Sequence, residues 1–378
     1  MKFKTVLFFV LIWRLAITLF SLPAIFLLSL KDGFSTLTSG FSLPNLFTMW
    51  SNFDGRHFLS IASGGYSSAS AHRLFNFFPL YPLLITKLNF LADPLITGLI
   101  LSHLFLALAL YFLYKLIGAD FSEKIARTSI ILLLFFPASF FFGSVYAESL
   151  LLLLSVTCFY ALRKDRLLLA VILAALASAT RFVGILLWFA IIIELWEKHH
   201  RSLRRLFSDT QSALLAIPPL GLLLYMNFQR QMTGNFLEFL ADKPEFASQA
   251  VVGKIILLYQ VFYRYLRMII FINHEDPLFF TVLLEFLIAA LFLVLVILCF
   301  KKFKLSYAFF SLFAYLLPSF TGTFASLPRY VLVIFPAFII LAIWFQNQNK
   351  SIRILYLALN IIFSIIAISL FTRGYFVS

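Results

Sequence analysis

Apolar residues fill long uninterrupted runs along this chain, and short polar clusters separate the runs. About 20 consecutive apolar residues suffice for a helix to cross a bilayer. A membrane β-strand would instead alternate apolar and polar positions, and runs such as ILLLFF and SLLLLLSV do not alternate. The pattern predicts an all-α polytopic membrane protein.

The polar clusters are basic, and they set the direction of each helix. MKFK at the start, Lys115 to Arg127, RKDR at 163–166, KHHRSLRR at 198–205, KKFK at 301–304 and NKSIR at 349–353 are all assigned to the inner face, where Lys and Arg collect. The N-terminus is then cytoplasmic, and a first helix over 5–30 leads out to a long outer loop, 31–94. A helix over 95–117 returns. Segments 127–162 and 166–197 each begin and end inside, so each is a hairpin, turning near Pro137–Ser144 and near Thr180–Gly184. A helix over 211–228 leads to a second outer segment, 229–277. Helices over 278–300, 305–321, 328–345 and 352–372 follow. The sum is about eleven spans, with boundaries good to a few residues, in one domain covering 1–378. Within the first outer loop, FFPLYPLLITKLNFLADP is apolar and punctuated by proline. It predicts one or two helices lying in the membrane interface.

Composition removes the soluble classes. Hydrophobic residues make up 62% of the 378 positions and charged residues 12%, against about a quarter charged in soluble domains. The net charge of +14 reads as membrane orientation and not as nucleic-acid binding. The two cysteines, Cys158 and Cys299, form no disulfide framework or metal spacing. The outer loops contain no Asp-x-Asp, and the chain has no phosphate-binding Gly-rich Lys loop, so neither a metal nor another cofactor is expected.

With the basic clusters inside, the remaining ionisable residues gather at the outer face. Asp54, Arg56 and His57 lie in WSNFDGRHFLSIASGGY, with His72 and Arg73 farther along the same loop. Tyr146 and Glu148 open one outer helix end, Arg181 sits at a helix break, and Arg329 precedes Tyr330 at another outer end. Ionisable groups at membrane depth are costly and mark sites or pathways. Carboxylates beside arginines suit a proton acceptor next to an anionic group. Each also has a plainer reading. Asp54 suits a helix N-cap, Glu148 a first-turn acid stabilised by the helix dipole, and the arginines reach for lipid headgroups.

Five elements in order resemble those of the PIG-V mannosyltransferases, within the GT-C superfamily of lipid-linked glycosyltransferases. They are Trp50, Asp54, Ile61-Ala62 and Gly65-Tyr66; Phe78-Pro79-Leu80-Tyr81-Pro82; Pro137, Phe140, Tyr146, Glu148 and Ser149; Arg181 with Gly184; and Pro328-Arg329-Tyr330 with Pro336. Phe58 and Ala147 depart from the family pattern. The resemblance implies a GT-C-like bundle. It also implies inverting transfer of a sugar, mannose foremost, from a polyprenyl-phosphate donor to a glycolipid or glycoprotein acceptor at the outer face of a prokaryotic plasma membrane. Asp54 would be the general base. Arg329 and Arg181 would face the donor phosphate, with Tyr330, Glu148, Tyr146, His57, Arg56 and Tyr81 lining the substrate. Two other readings remain: a non-enzymatic flippase for lipid-linked sugars, and a structural subunit. A transporter would place polar residues near the midplane in two related halves.

Overall fold

The computed structural model describes residues 1–31, 34, 42–66, 74–90, 92–241 and 256–377, and every regular element among them is helical. His72 and Arg73 lie outside these residues, as does 242–255 of the second outer segment. The chain begins with α1 (Phe3–Leu27), and the first outer loop then holds three short helices: α2 (Leu43–Thr48), α3 (Asp54–Gly64) and α4 (Leu80–Leu88). Next come α5 (Pro94–Ile117), α6 (Glu123–Leu134), α7 (Glu148–Arg163), α8 (Leu167–Ser178) and α9 (Leu186–Lys198). Two short helices, α10 (Leu203–Ser208) and α12 (Glu238–Ala241), flank α11 (Leu220–Thr233). The C-terminal part comprises α13 (Leu258–Phe271), α14 (Pro277–Lys302), α15 (Leu305–Ser319), α16 (Leu327–Tyr330), α17 (Phe335–Gln346) and α18 (Lys350–Thr372).

The long helices start and stop for local reasons. Asp93 caps α5 through a 2.8 Å bond from Leu95 N, and Asp276 caps α14 through a 2.8 Å bond from Leu278 N. Each cap is followed by a proline at the first helical position, where the missing N–H costs nothing. Lys115 ends the first, Lys301 and Lys302 the second, which suits the negative end of the helix dipole. α5 forms the centre, with α1, α6 and α7 packed around it, while α17 rests on α6 and α14.

Among the described residues, five segments are long and apolar enough to cross a membrane: Phe3–Leu27, Pro94–Ile117, Thr210–Thr233, Pro277–Lys302 and Lys350–Thr372. The bent pair Leu327–Val333 and Phe335–Gln346 makes a sixth if counted as one span. Eleven spans are therefore not confirmed. The four hairpin halves and the 15-residue α15 make up the gap. The 12 residues of α6 or α8 rise about 18 Å, against about 30 Å of hydrocarbon. The first hairpin does turn where the sequence places it, through a 3-10 turn at Ser139–Gly143. Its two arms, however, pack on α5 more than on each other.

Ion pairs tie the basic clusters into one end of the bundle. Arg163 pairs with Asp120, Lys198 Nζ with Asp165 at 2.8 Å, and Lys304 Nζ with Glu194 at 2.5 Å. α7 runs from that end to the other, with Arg163 closing it and Glu148 opening it, about 23 Å apart along the axis.

Candidate active site

Four chain segments converge at the Glu148 end. Asp54 opens α3 but does not cap it: Phe53 holds the N-cap position, and Asp54 is the first helical residue. Its carboxylate oxygen Oδ2 accepts a 2.5 Å bond from Arg329 Nη1. The capping reading of Asp54 is thus replaced by an ion pair. Arg329 lies on α16, a one-turn helix set 87° from α17. α17 begins at Phe335 with Pro336 in its first turn, where proline is tolerated, and the N-cap Ile334 is non-helical. The sequence reading of one straight helix over 328–345 is corrected accordingly.

Glu148 joins the two arginines. Its Oε1 stands 3.4 Å from Arg329 Nε and also accepts from Arg181 Nη1. Arg181 is extended, between α8 and the 3-10 turn Phe182–Ile185. Gly184 makes that break possible, because a Cβ there would lie 2.0 Å from the Ala177 carbonyl oxygen. The result is a chain of alternating charge, Asp54–Arg329–Glu148–Arg181. It is buried toward its middle: Glu148 is 4% exposed and Arg329 8%, while Asp54 at the rim is 30% exposed. Arg329 stands over three rings, Phe141 at 5.5 Å, Tyr146 at 5.4 Å and Tyr330 at 5.5 Å, and Arg181 stands over Tyr330 at 4.7 Å. A small recess opens between Glu148, Arg181, Arg329 and Tyr330, with Leu151 and Val183 as apolar walls. Glu148 Oε2 is buried and has no hydrogen-bond partner among the described residues. A lone acceptor of this kind is expensive unless a ligand or water meets it.

Backbone strain borders the ion pair on both sides. Phe53, directly before Asp54, has φ +55°, and Ser326, three residues before Arg329, has φ +66°. Non-glycine residues in this region are uncommon and concentrate at functional sites. The 144–148 turn docks on the start of α3: Val145 N donates to Trp50 O at 3.0 Å, and the Tyr146 hydroxyl donates to Asn52 O at 2.8 Å. Gly55 allows this approach, since a Cβ there would come within 3.3 Å of Val145 O.

The remaining sequence candidates sit around this chain of charges in other roles. Tyr146 and Tyr330 supply ring faces to the arginines. Tyr81 is fully buried, and its hydroxyl bonds Gly98 O at 3.0 Å and Ser102 Oγ at 2.8 Å. Burial pushes its phenol well above the usual range, so it stays a neutral support for Phe58 of α3, 5.2 Å away. His57 stacks on Phe77 at 4.8 Å. Arg56 stands 4.5 Å over the Phe34 ring and donates to Asn52 Oδ1 at 3.4 Å. No three His, Cys, Asp or Glu side chains among the described residues group closely enough to hold a metal ion.

Two polar supports escaped the sequence reading. Arg14 in α1 stands 4.5 Å over Trp50 and donates to Gly143 O at 2.9 Å. Glu285, buried inside α14, accepts from the Tyr265 hydroxyl at 2.5 Å and from Ser326 N at 3.4 Å. A lone carboxylate in the apolar run PLFFTVLLEFLIAALF was the available signal.

A family model described as Mannosyltransferase (PIG-V) matches residues 3–229, well over half of the chain. None of the curated proteins compared with the chain matches it. Among solved structures, it is similar to the crystal structure of the Archaeoglobus fulgidus oligosaccharyltransferase tethered with an acceptor peptide containing the NVT sequon. That similarity has 13% identity and a TM-score of 0.45, and covers 97% of this chain and 55% of the other. The chain thus spans about half the length of that protein.

Proposed function

The chain belongs to the mannosyltransferase (PIG-V) family, a family of glycosyltransferases, and on that premise we propose that it moves a mannosyl or related hexosyl group from a polyprenyl phosphate to an acceptor hydroxyl. Asp54 is the general base. The acceptor oxygen bonds to the anomeric carbon as the bond from that carbon to the phosphate oxygen breaks, with inversion. The acceptor proton passes to Asp54, and the polyprenyl phosphate leaves carrying the electron pair. Arg329 and Arg181 meet its charge, with no metal ion required in this reading. Arginine suits this role because its planar fork holds two phosphate oxygens at once.

One observation carries the proposal: a partly exposed carboxylate directly bonded to a buried arginine, which a second carboxylate links to another arginine. A base must lie within hydrogen-bond reach of its proton, and cations must wait where leaving-group charge develops. The chain of four residues offers both within one cluster. The basic clusters at the other end of the bundle support an outward-facing site and a cytoplasmic N-terminus. A prokaryotic plasma membrane and a surface glycolipid or glycoprotein acceptor complete the reading.

The test is transfer from a mannosyl polyprenyl phosphate to short mannoside lipids and peptides by the purified protein. Asp54→Asn should lower turnover about 100-fold or more in a protein that stays folded. Full turnover in that variant would remove Asp54 as the base.

A further inference from the structure

Resting on the transfer reading above, we propose that Arg329 changes partner in every cycle: Asp54 holds it in the free protein, the donor phosphate holds it in the loaded one, and donor binding thereby frees Asp54 to receive the acceptor proton. In the free protein all three guanidinium nitrogens of Arg329 face protein groups. Nη1 donates to Asp54 at 2.5 Å, Nη2 to Ser326 Oγ at 3.4 Å, and Nε faces Glu148 at 3.4 Å. Nε makes no hydrogen bond, so a phosphate that grips the fork through Nη1 must displace Asp54, and the Asp54 oxygen that holds Nη1 is closed to an acceptor hydroxyl. At that edge the two roles exclude each other until the Asp54 contact yields.

Burial makes this the contact that yields. Releasing Glu148 would leave a carboxylate that is 4% exposed with less compensation, and an uncompensated buried charge is strongly unfavourable. Asp54 is 30% exposed and gains water when it lets go. The rings of Phe141, Tyr146 and Tyr330, all 5.4 to 5.5 Å from the guanidinium carbon, let it slide while keeping a ring face beneath it. Glu148 and Arg181 form the fixed side of the clamp.

The charge balance fits this exchange. The four side chains sum to zero, and a phosphodiester donor brings one negative charge. After transfer Asp54 carries the acceptor proton and is neutral, and the leaving monoester carries two negative charges. The total is unchanged. Negative charge has moved from Asp54 to the phosphate, and Arg329 is the group positioned to follow it.

If Asp54 competes with phosphate for Arg329, removing the competitor strengthens phosphate binding even as it stops transfer. The probe is farnesyl phosphate, with farnesol as the uncharged control, titrated into the purified full chain. Asp54→Asn should bind farnesyl phosphate about five-fold more tightly or better, the lower range of typical site–site coupling, with farnesol unchanged. A double-mutant cycle separates partner exchange from plain loss of a nearby negative charge. In an Arg329→Gln background the same Asp54→Asn change should give no gain. An equal gain in both backgrounds, or no gain in the first, overturns the exchange. Asp54→Ser serves if the Asn variant does not fold. Turnover reports separately on the underlying reading: an inactive Asp54→Asn with unaltered phosphate affinity keeps the base and removes the exchange, whereas an active one removes the base.

Discussion

Tyr265 and Glu285 form a buried 2.5 Å hydrogen bond between α13 and α14, and both reach the turn that delivers Arg329. The Tyr265 hydroxyl also meets Thr323 Oγ1 at 3.0 Å and accepts from Phe324 N at 3.1 Å, and Glu285 accepts from Ser326 N. Arg264, one residue earlier, donates to Gly322 O at 2.7 Å. The turn from 322 to 326 is thus held from one side by α13 and from the other by α14, and the strained Ser326 sits where the two grips meet.

Tyr265→Phe keeps the ring against Phe324 but removes the hydroxyl that three groups share. Losing it should cost about 1–3 kcal/mol, seen as a lower melting temperature in detergent. The turn should loosen as well, so donor KM should rise. A variant with wild-type melting and wild-type donor KM would show that the turn does not depend on this hydroxyl.

Arg181→Ala removes one of the two cations on Glu148. Breaking a buried pair from one side costs about 3–5 kcal/mol, and the Arg329 contact at 3.4 Å should hold the loss to the lower end. Arg181→Lys restores the charge but not the fork. It should recover the melting temperature without recovering full transfer. Equal recovery of both by lysine would assign Arg181 to stability alone.

Gly184→Ala places a methyl group 2.0 Å from the Ala177 carbonyl oxygen. The break between α8 and α9 must widen, at about 1–3 kcal/mol of overpacking, and Arg181 moves with it. Lower thermal stability together with weaker farnesyl phosphate binding is the expected result. Unchanged binding in a destabilised protein would separate the break from the site.

Orientation is open to labelling, because Cys158 and Cys299 are both buried. In intact cells a membrane-impermeant maleimide should modify Asn89→Cys, in the exposed stretch after α4, and should reach Asp165→Cys only after permeabilisation. The opposite pattern would invert the assignment of faces.

The long helices could be read from the chain because their cause is local. An apolar run with a basic cluster at one of its ends gave 95–117, 278–300 and 352–372, within two residues of α5, α14 and α18. The gathering of Asp54, Glu148, Arg181 and Arg329 was also legible, since charge clusters alone order the helix ends. What the chain hid was pairing. Asp54 and Arg329 are 275 positions apart, so nothing local distinguishes a cap from an ion-pair partner. The 87° bend before α17 and the support from Glu285 likewise depend on neighbours that are distant in sequence. The hairpin arms are too short for length to settle whether they span, because apolar composition reports burial in protein and in lipid alike.

The two ends of α7 also differ in how they meet dissolved ions. At the basic end the side chains of Lys198 and Asp165 are 61% and 78% exposed, and those of Arg163 and Asp120 are 42% and 40% exposed. Pairs of this kind are screened within a Debye length of about 8 Å at physiological salt. At the other end Glu148 and Arg329 lie below the reach of mobile ions. Rising ionic strength therefore loosens the stitching between helices on one face far more than the buried Glu148–Arg329 contact on the opposite face, so the bundle responds to salt chiefly from one side.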